Sequence, residues 1–299
     1  MGPTGVGKTH SMRTLASNLG LPFVIADATG LVPSGVVGLQ IEDIMLMLWR
    51  SAEASLNQRS SEYFNEEEVS RNAHTGVVFL DEFDKLATRK LQESEGDANR
   101  RLVQRRLLKF VEGDYIRVGV KHRGDESQPQ EQYIDSSKLL IIVGGAFTEI
   151  TSNEIQAQRT GDEIYRQLFG SDSIVSEDVT HYGFLPELSS RLPLIVQYES
   201  LTDRDLEAIL RHETESPLCL WREYFDAIQM RLTIDEASYR ILATDAAQLK
   251  MGARGLHQLI FPYMTRRLST VEKNGDGMEI SIRADDLRYR SKAYQSTDT

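Results

Sequence analysis

Apolar positions along the chain follow two spacings, and the balance between them shifts part-way. In the first part, short runs of apolar and β-branched residues alternate with stretches whose apolar residues recur three and four apart. Phe23-Val24-Ile25-Ala26 and Gly76-Val77-Val78-Phe79-Leu80 read as buried strands, and residues 138–143 as another. Met12, Leu15, Ala16 and Leu19 share one helix face. Ile41, Ile44, Met45 and Leu48 share a second. Val103, Leu107, Phe110 and Val111 share a third, which Gly113 stops. Strands separated by helices predict an α/β fold, a parallel sheet flanked by helices. Near Pro193 the pattern becomes mostly helical. Thr202-x-x-Asp205 reads as a capping box before Leu206, Ile209 and Leu210, and further helices are expected over residues 221–228, 237–249 and 256–268. Residues 278–282 alternate as a short strand. The pattern predicts a large domain over 1–198, a small mostly helical domain over 199–290 and a tail over 291–299. Two polar stretches read as solvated loops: 57–75, with its run Glu66-Glu67-Glu68, and 118–132.

Composition narrows the class. Hydrophobic residues make up 40% and charged residues 26% of the 299, as in an ordinary globular protein. No apolar run is long enough to span a bilayer, and the first residues do not read as a signal peptide. The lone Cys219 excludes an internal disulfide and a multi-cysteine metal site, and points to a reducing, cytoplasmic setting. Beside Leu218 and Leu220, Cys219 reads as core packing rather than as a nucleophile. A net charge of -11 argues against loose attachment to nucleic acid or to an anionic membrane.

Chemistry concentrates at one end. Gly2-Pro3-Thr4-Gly5-Val6-Gly7-Lys8-Thr9 fits G-x-x-x-x-G-K-[ST] at every fixed position, with a helical pattern directly after it. Glycines let the backbone curl so that N–H groups face a phosphate, and the helix start adds partial positive charge. Lys8 is expected against the β- and γ-phosphates of ATP, and the Thr9 hydroxyl on Mg²⁺. His10 is counted with this nucleotide-binding stretch. Val77 to Leu80 end in Asp81 and Glu82, and ligands of open α/β sheets gather at that end of the strands. Asp81 is expected to hold Mg²⁺, and Glu82 to orient the attacking water. Read alone, Arg191 and Arg254 are surface arginines.

These residues, with Ala26-Asp27-Ala28-Thr29, Leu80-Asp81-Glu82-Phe83-Asp84-Lys85, Gly144-Gly145-Ala146-Phe147, Leu185-Pro186-Glu187-Leu188, Arg191-Leu192-Pro193 and Gly252-Ala253-Arg254-Gly255-Leu256, resemble the ClpX family of AAA+ unfoldases. HslU is a close relative of that family. The motifs stand in the family's order along nearly the whole chain. The resemblance implies a P-loop AAA+ sheet and a small helical domain. It also implies a homo-hexameric ring with ATP between subunits and protein substrates unfolded through a central pore. Arg191 matches the arginine finger that reaches a neighbour's γ-phosphate, for which a planar guanidinium is suited. Arg254 matches the second-domain sensor arginine on its own subunit's nucleotide.

Four departures qualify the resemblance. The pore loop, Gly-aromatic-Val-Gly in the family, reads Gly35-Val36-Val37-Gly38, and Val36 offers less area to grip a polypeptide. Val120-Lys121-His122 keeps only part of the basic loop at the pore entrance. No Ile-Gly-Phe tripeptide stands between Phe147 and Leu185, which argues against a ClpP-type peptidase partner. The family's zinc-binding domain cannot be built from one cysteine, so substrate choice is expected to lie elsewhere, with the stretch 57–75 one candidate. A P-loop fold also needs a strand leading into the loop, where this sequence has only Met1. The reading is therefore of a truncated or fragmentary chain. The first function expected is an ATP-driven protein unfoldase or remodeller. The alternatives are a nucleic-acid-associated AAA+ ATPase and a hydrolytically silent nucleotide-binding scaffold.

Overall fold

The apolar run Val77–Asp81 forms the central strand, β2, of a parallel sheet. β1 (Phe23–Asp27) lies on one side of it and β5 (Leu140–Val143) on the other. The register pairs Asp27 with Asp81 and Leu80 with Val143, so the strands finish at one edge. Parallel neighbours need crossover connections, and the helical stretches between the strands supply them. The protein is described by a computed structural model over residues 1–33, 35–59, 65–88, 95–120, 130–148, 150, 174–274 and 279–284. It divides into two units, Met1 with Lys8–Gln197, and Gly2–Gly7 with Tyr198–Thr299.

In the first unit α1 (Lys8–Leu19) packs on β1 and β2. Ala16 is buried as its pattern predicts, but Leu15 and Leu19, predicted on the same face, are exposed. α2 (Ile41–Arg59) buries Ile41, Ile44, Met45 and Leu48, the face its spacing predicts, and adds Trp49 and Ala52. α4 (Glu95–Glu112) buries Val103, Leu107 and Phe110. Two short helices, α5 (Ser176–Tyr182) and α6 (Pro186–Ser190), pack on each other, and α6 packs on α4.

Both expected loops are corrected in part. Within 57–75, α2 continues to Arg59 and α3 (Glu66–Ala73) follows, with Asn65 and Glu68 forming a capping box. The run Glu66-Glu67-Glu68 is the first turn of that helix, where carboxylates favour the helix dipole. Residues 118–120 and 130–132 belong to an antiparallel hairpin, β3 (Tyr115–Val120) with β4 (Gln130–Asp135). Along β3 burial alternates strictly, with Ile116, Val118 and Val120 inward. Lys121 and His122 lie outside the described residues.

The second unit has its own core. α7 (Asp203–Arg211), α8 (Cys219–Ala227), α9 (Glu236–Gln248) and α10 (Ala253–Asn274) enclose Leu206, Leu210, Phe225, Leu242, Leu256 and Met264. Thr202 and Asp205 form the capping box the sequence predicts. A two-stranded parallel ribbon, β6 (Arg231–Ile234) with β7 (Glu279–Ile282), completes it. Met278 and the expected tail over 291–299 lie outside the described residues. Gly2–Gly7, grouped with the large domain on sequence, makes its contacts with this second unit.

Candidate functional site

Three glycines give the phosphate loop its shape. Gly2, Gly5 and Gly7 have φ of 145°, 79° and 91°, a region L side chains rarely occupy. At Gly5 a side chain is excluded twice over, because a Cβ there would stand 2.1 Å from the Met251 carbonyl oxygen. The Ala253 N–H donates to the Gly5 carbonyl at 2.9 Å, so this backbone contact places the loop beside the start of α10. Nothing lies within 4 Å of a Cβ built at Gly7, where the torsion alone calls for glycine. Pro3 and Thr4 are exposed, Val6 is buried, and Lys8 opens α1 half-buried. His10, one turn into α1, is exposed.

One hydrogen bond joins the two halves of the motif pair. The Thr9 hydroxyl donates to Asp81 Oδ2 at 2.5 Å across 72 residues of sequence. The other oxygen, Oδ1, accepts the Glu82 N–H at 2.9 Å, so the carboxylate is oriented at both ends. Glu82 sits at φ 54°, ψ 30°, the left-handed region, at a cost of about 1–3 kcal/mol for a residue with a side chain. The turn is held by the next residue. Phe83 N–H donates to the Gly144 carbonyl at 2.8 Å, and buried Asp84 accepts the Ala146 N–H at 3.2 Å. The Glu82 side chain is exposed and makes no bond among the described residues. The strained turn therefore leaves an exposed, unbonded carboxylate on the residue directly after Asp81.

Arg191, in the same unit as this cluster, makes none of its bonds. Arg191 caps the C-terminus of α6 and donates to Glu112 Oε1 at 3.1 Å, with its side chain 57% exposed. Arg254 is exposed in the first turn of α10, next to Ala253 and its bond to Gly5, and makes no ion pair among the described residues. Gly35, Val36, Val37 and Gly38 form a protruding loop with Val37 fully exposed. Its base is clipped. Val32 N–H donates to Leu39 O at 3.1 Å, and Leu39 N–H donates to Gly30 O at 3.1 Å.

Two residues that support this loop carried no sequence signal. Gln40 Nε2 donates to the Val36 carbonyl at 2.9 Å, and Gln40 Oε1 accepts from Arg106 of α4 at 2.8 Å. Arg106 also forks onto both carboxylate oxygens of Glu42. Partners 64 and 66 residues apart leave no periodic trace that could have revealed them.

Residues 1–195 match the family model described as AAA domain (Cdc48 subfamily). The chain belongs to the AAA domain family. Among the relatives of this AAA chain, the "ATP-dependent Clp protease ATP-binding subunit ClpX" of Azotobacter vinelandii is 32% identical over 87% of the chain and 58% of its own length. The "ATP-dependent Clp protease ATP-binding subunit ClpX 3" of Methylococcus capsulatus is 30% identical over 95% of the chain and 66% of its own length. The ClpX subunit of Treponema denticola is 30% identical, over 87% and 62%. The AAA chain is thus ClpX-like, and it spans 58–66% of the length of these curated relatives.

The geometry fits Mg²⁺ with a nucleotide. Among the described residues no group of three or more His, Cys, Asp or Glu could hold a metal, so an ion here needs further oxygens. A hydroxyl and a carboxylate 2.5 Å apart are hard oxygen donors of the kind Mg²⁺ shares with substrate phosphates.

Proposed function

We propose that this AAA chain binds ATP with Mg²⁺, hydrolyses it, and works in a homo-hexameric ring that unfolds or remodels protein substrates. The observation that carries the reading is the Thr9–Asp81 hydrogen bond with Glu82, directly after Asp81, exposed on a strained turn. In this reading the loop from Gly2 to Gly7 cradles phosphate with backbone N–H groups, and Lys8 places its charge against the β- and γ-phosphates. Thr9 and Asp81 hold Mg²⁺, which supplies neutralisation of charge on the transferring phosphoryl group. Glu82, free of protein partners among the described residues, orients a water for attack and accepts its proton. Arg191 serves a neighbouring subunit's nucleotide, and Arg254 responds to the nucleotide held by its own loop.

Substrate class and partners rest on likeness to the ClpX subunits and on the exposed loop. Val36 and Val37 offer an apolar tip for a polypeptide, smaller than an aromatic one. The relatives are named as parts of a protease. The missing Ile-Gly-Phe tripeptide favours remodelling without a ClpP-type peptidase for this chain. No described helix is long and apolar enough to cross a membrane.

The test is ATP turnover with and without an unfolded protein, beside Glu82→Gln. Loss of a positioned base is expected to lower kcat by about 10²–10⁴-fold while a fluorescent ATP analogue still binds. Equal turnover in the two proteins, or turnover raised by DNA and not by unfolded protein, would overturn the reading.

A further inference from the structure

One fully buried amide lies between the residues assigned to hydrolysis. Gln104 of α4 has no solvent exposure, yet every polar atom of its side chain is used. Nε2 donates to the Leu86 carbonyl at 2.8 Å and to the Gly183 carbonyl at 3.2 Å. Oε1 accepts the Leu185 N–H at 2.9 Å. The Gly183 carbonyl also accepts the Thr88 N–H at 3.0 Å and the Thr88 hydroxyl at 3.1 Å.

What these groups belong to gives the amide its meaning. Leu86 ends the tight turn Phe83–Leu86 that begins directly after Glu82. Leu185 caps the start of α6, and Arg191 caps its end. Gln104 therefore bonds at once to the segment that carries Glu82 and to the segment that carries Arg191. An aromatic stack runs alongside. Phe83 lies flat on Phe184 with ring centroids 4.9 Å apart and 7° between planes. Phe147, from the stretch after β5, meets Phe184 at 6.1 Å and Tyr182 at 5.1 Å.

We infer that Gln104 is a positioning residue that locks the Glu82 turn and the Arg191 helix into one joint, so that the geometry of a subunit's own nucleotide site is passed to the arginine it offers its neighbour. The inference rests on the ATPase reading above for what the joint transmits. The joint itself rests only on the bonds described. Carboxamide chemistry is needed because the site asks for donors and an acceptor from one side chain. Methionine fills the same volume and supplies neither, leaving buried backbone groups unpaired. A residue that only stabilised the fold would slow turnover in step with the folded fraction. A joint between sites also changes how turnover depends on ATP concentration.

The experiment compares the full chain with Gln104→Met, reading amide hydrogen exchange at residues 185–191, binding of a fluorescent ADP analogue, and ATP turnover across ATP concentration. Expected in Gln104→Met are exchange faster by about tenfold at 185–191, analogue binding within about twofold, and kcat about tenfold lower at unchanged KM, with cooperativity in ATP lost. Unchanged exchange at 185–191 overturns the joint. A fall in kcat that only tracks the folded fraction, with cooperativity kept, overturns its role between sites. If exchange quickens but the unmodified chain and Glu82→Gln turn over ATP equally, the joint holds and the ATPase reading falls. Should Gln104→Met fail to fold, Thr88→Val removes one hydroxyl bond to Gly183 and is read by the same three measurements.

Discussion

At the residue scale the site turns on Thr9 and Asp81, whose 2.5 Å bond spans the motif pair. Their presence was legible, because fixed spacing in the loop and a strand ending in carboxylates need only sequence to be seen. The conformation of Glu82 was not legible. Its left-handed backbone depends on Phe83 being pinned to Gly144 and Asp84 to Ala146, contacts no local pattern encodes. The same holds for Gly5, whose close approach to Met251 joins two distant stretches of chain. A substitution separates shape from chemistry here. Thr9→Val keeps the branched shape but removes the hydroxyl, so nucleotide affinity with Mg²⁺ is expected to fall about tenfold or more. Affinity in the presence of EDTA should change little. A fluorescent-nucleotide titration with and without the metal reads both. Equal losses under the two conditions would show that Thr9 does not serve the ion.

At the element scale the pattern resolved the strands of the parallel sheet and the long helices, but read α3 and part of the β3–β4 hairpin as loop. Three glutamates in a row look like solvated loop, yet Asn65 and Glu68 stand at capping-box spacing, and that cue was present. The far end of α3 carries a pH-dependent contact. His74 caps the helix, and its Nε2 accepts the Asp135 N–H at 3.0 Å, tying α3 to the end of β4. Burial first, and then the nearby Lys138, holds the His74 pKa below the ordinary imidazole value, against the opposing pull of Asp135 and the bond with Ser70. A histidine depressed in the folded state stabilises above its unfolded pKa, near 6.5, and that contribution is lost as pH falls through the folded value. Thermal stability is expected to drop between about pH 7 and pH 5, and to drop less in His74→Gln. Parallel melting curves would discount the His74 contact. α4 carries the second prediction at this scale. Arg106→Ala removes the fork to Glu42 and the bond to Gln40, which itself holds Val36. Exchange of the 35–39 amides should then quicken while those of β2 stay protected. Equal protection of 35–39 in both proteins would mean that the turn stands without Arg106.

At the scale of the whole molecule the question is which nucleotide each arginine serves, and neither composition nor periodicity could answer it. Arg191 shows why. It lies at the end of α6 with its side chain half in solvent, paired among the described residues to Glu112 at 3.1 Å, and it bonds to none of Thr9, Asp81 or Glu82. An exposed pair of this kind is worth about 0–1 kcal/mol, so it does not hold the arginine back from a second partner. If that partner is a nucleotide on another copy of the chain, Glu82 and Arg191 act in different active sites although one polypeptide carries both. Arg191→Ala alone and Glu82→Gln alone should each abolish turnover, since every site would lack either its base or its arginine. Mixed in equal amounts, the two inactive proteins should recover part of the activity. A subunit with Ala at 191 keeps its own Glu82 and can receive Arg191 from a neighbour with Gln at 82. The recovered rate should rise with protein concentration, as assembly requires, and should vanish when the double variant replaces either partner. If mixing restores nothing while both proteins still bind nucleotide and co-assemble, Arg191 serves its own subunit's site or none, and the ring mechanism proposed for this chain loses its transfer of charge between copies.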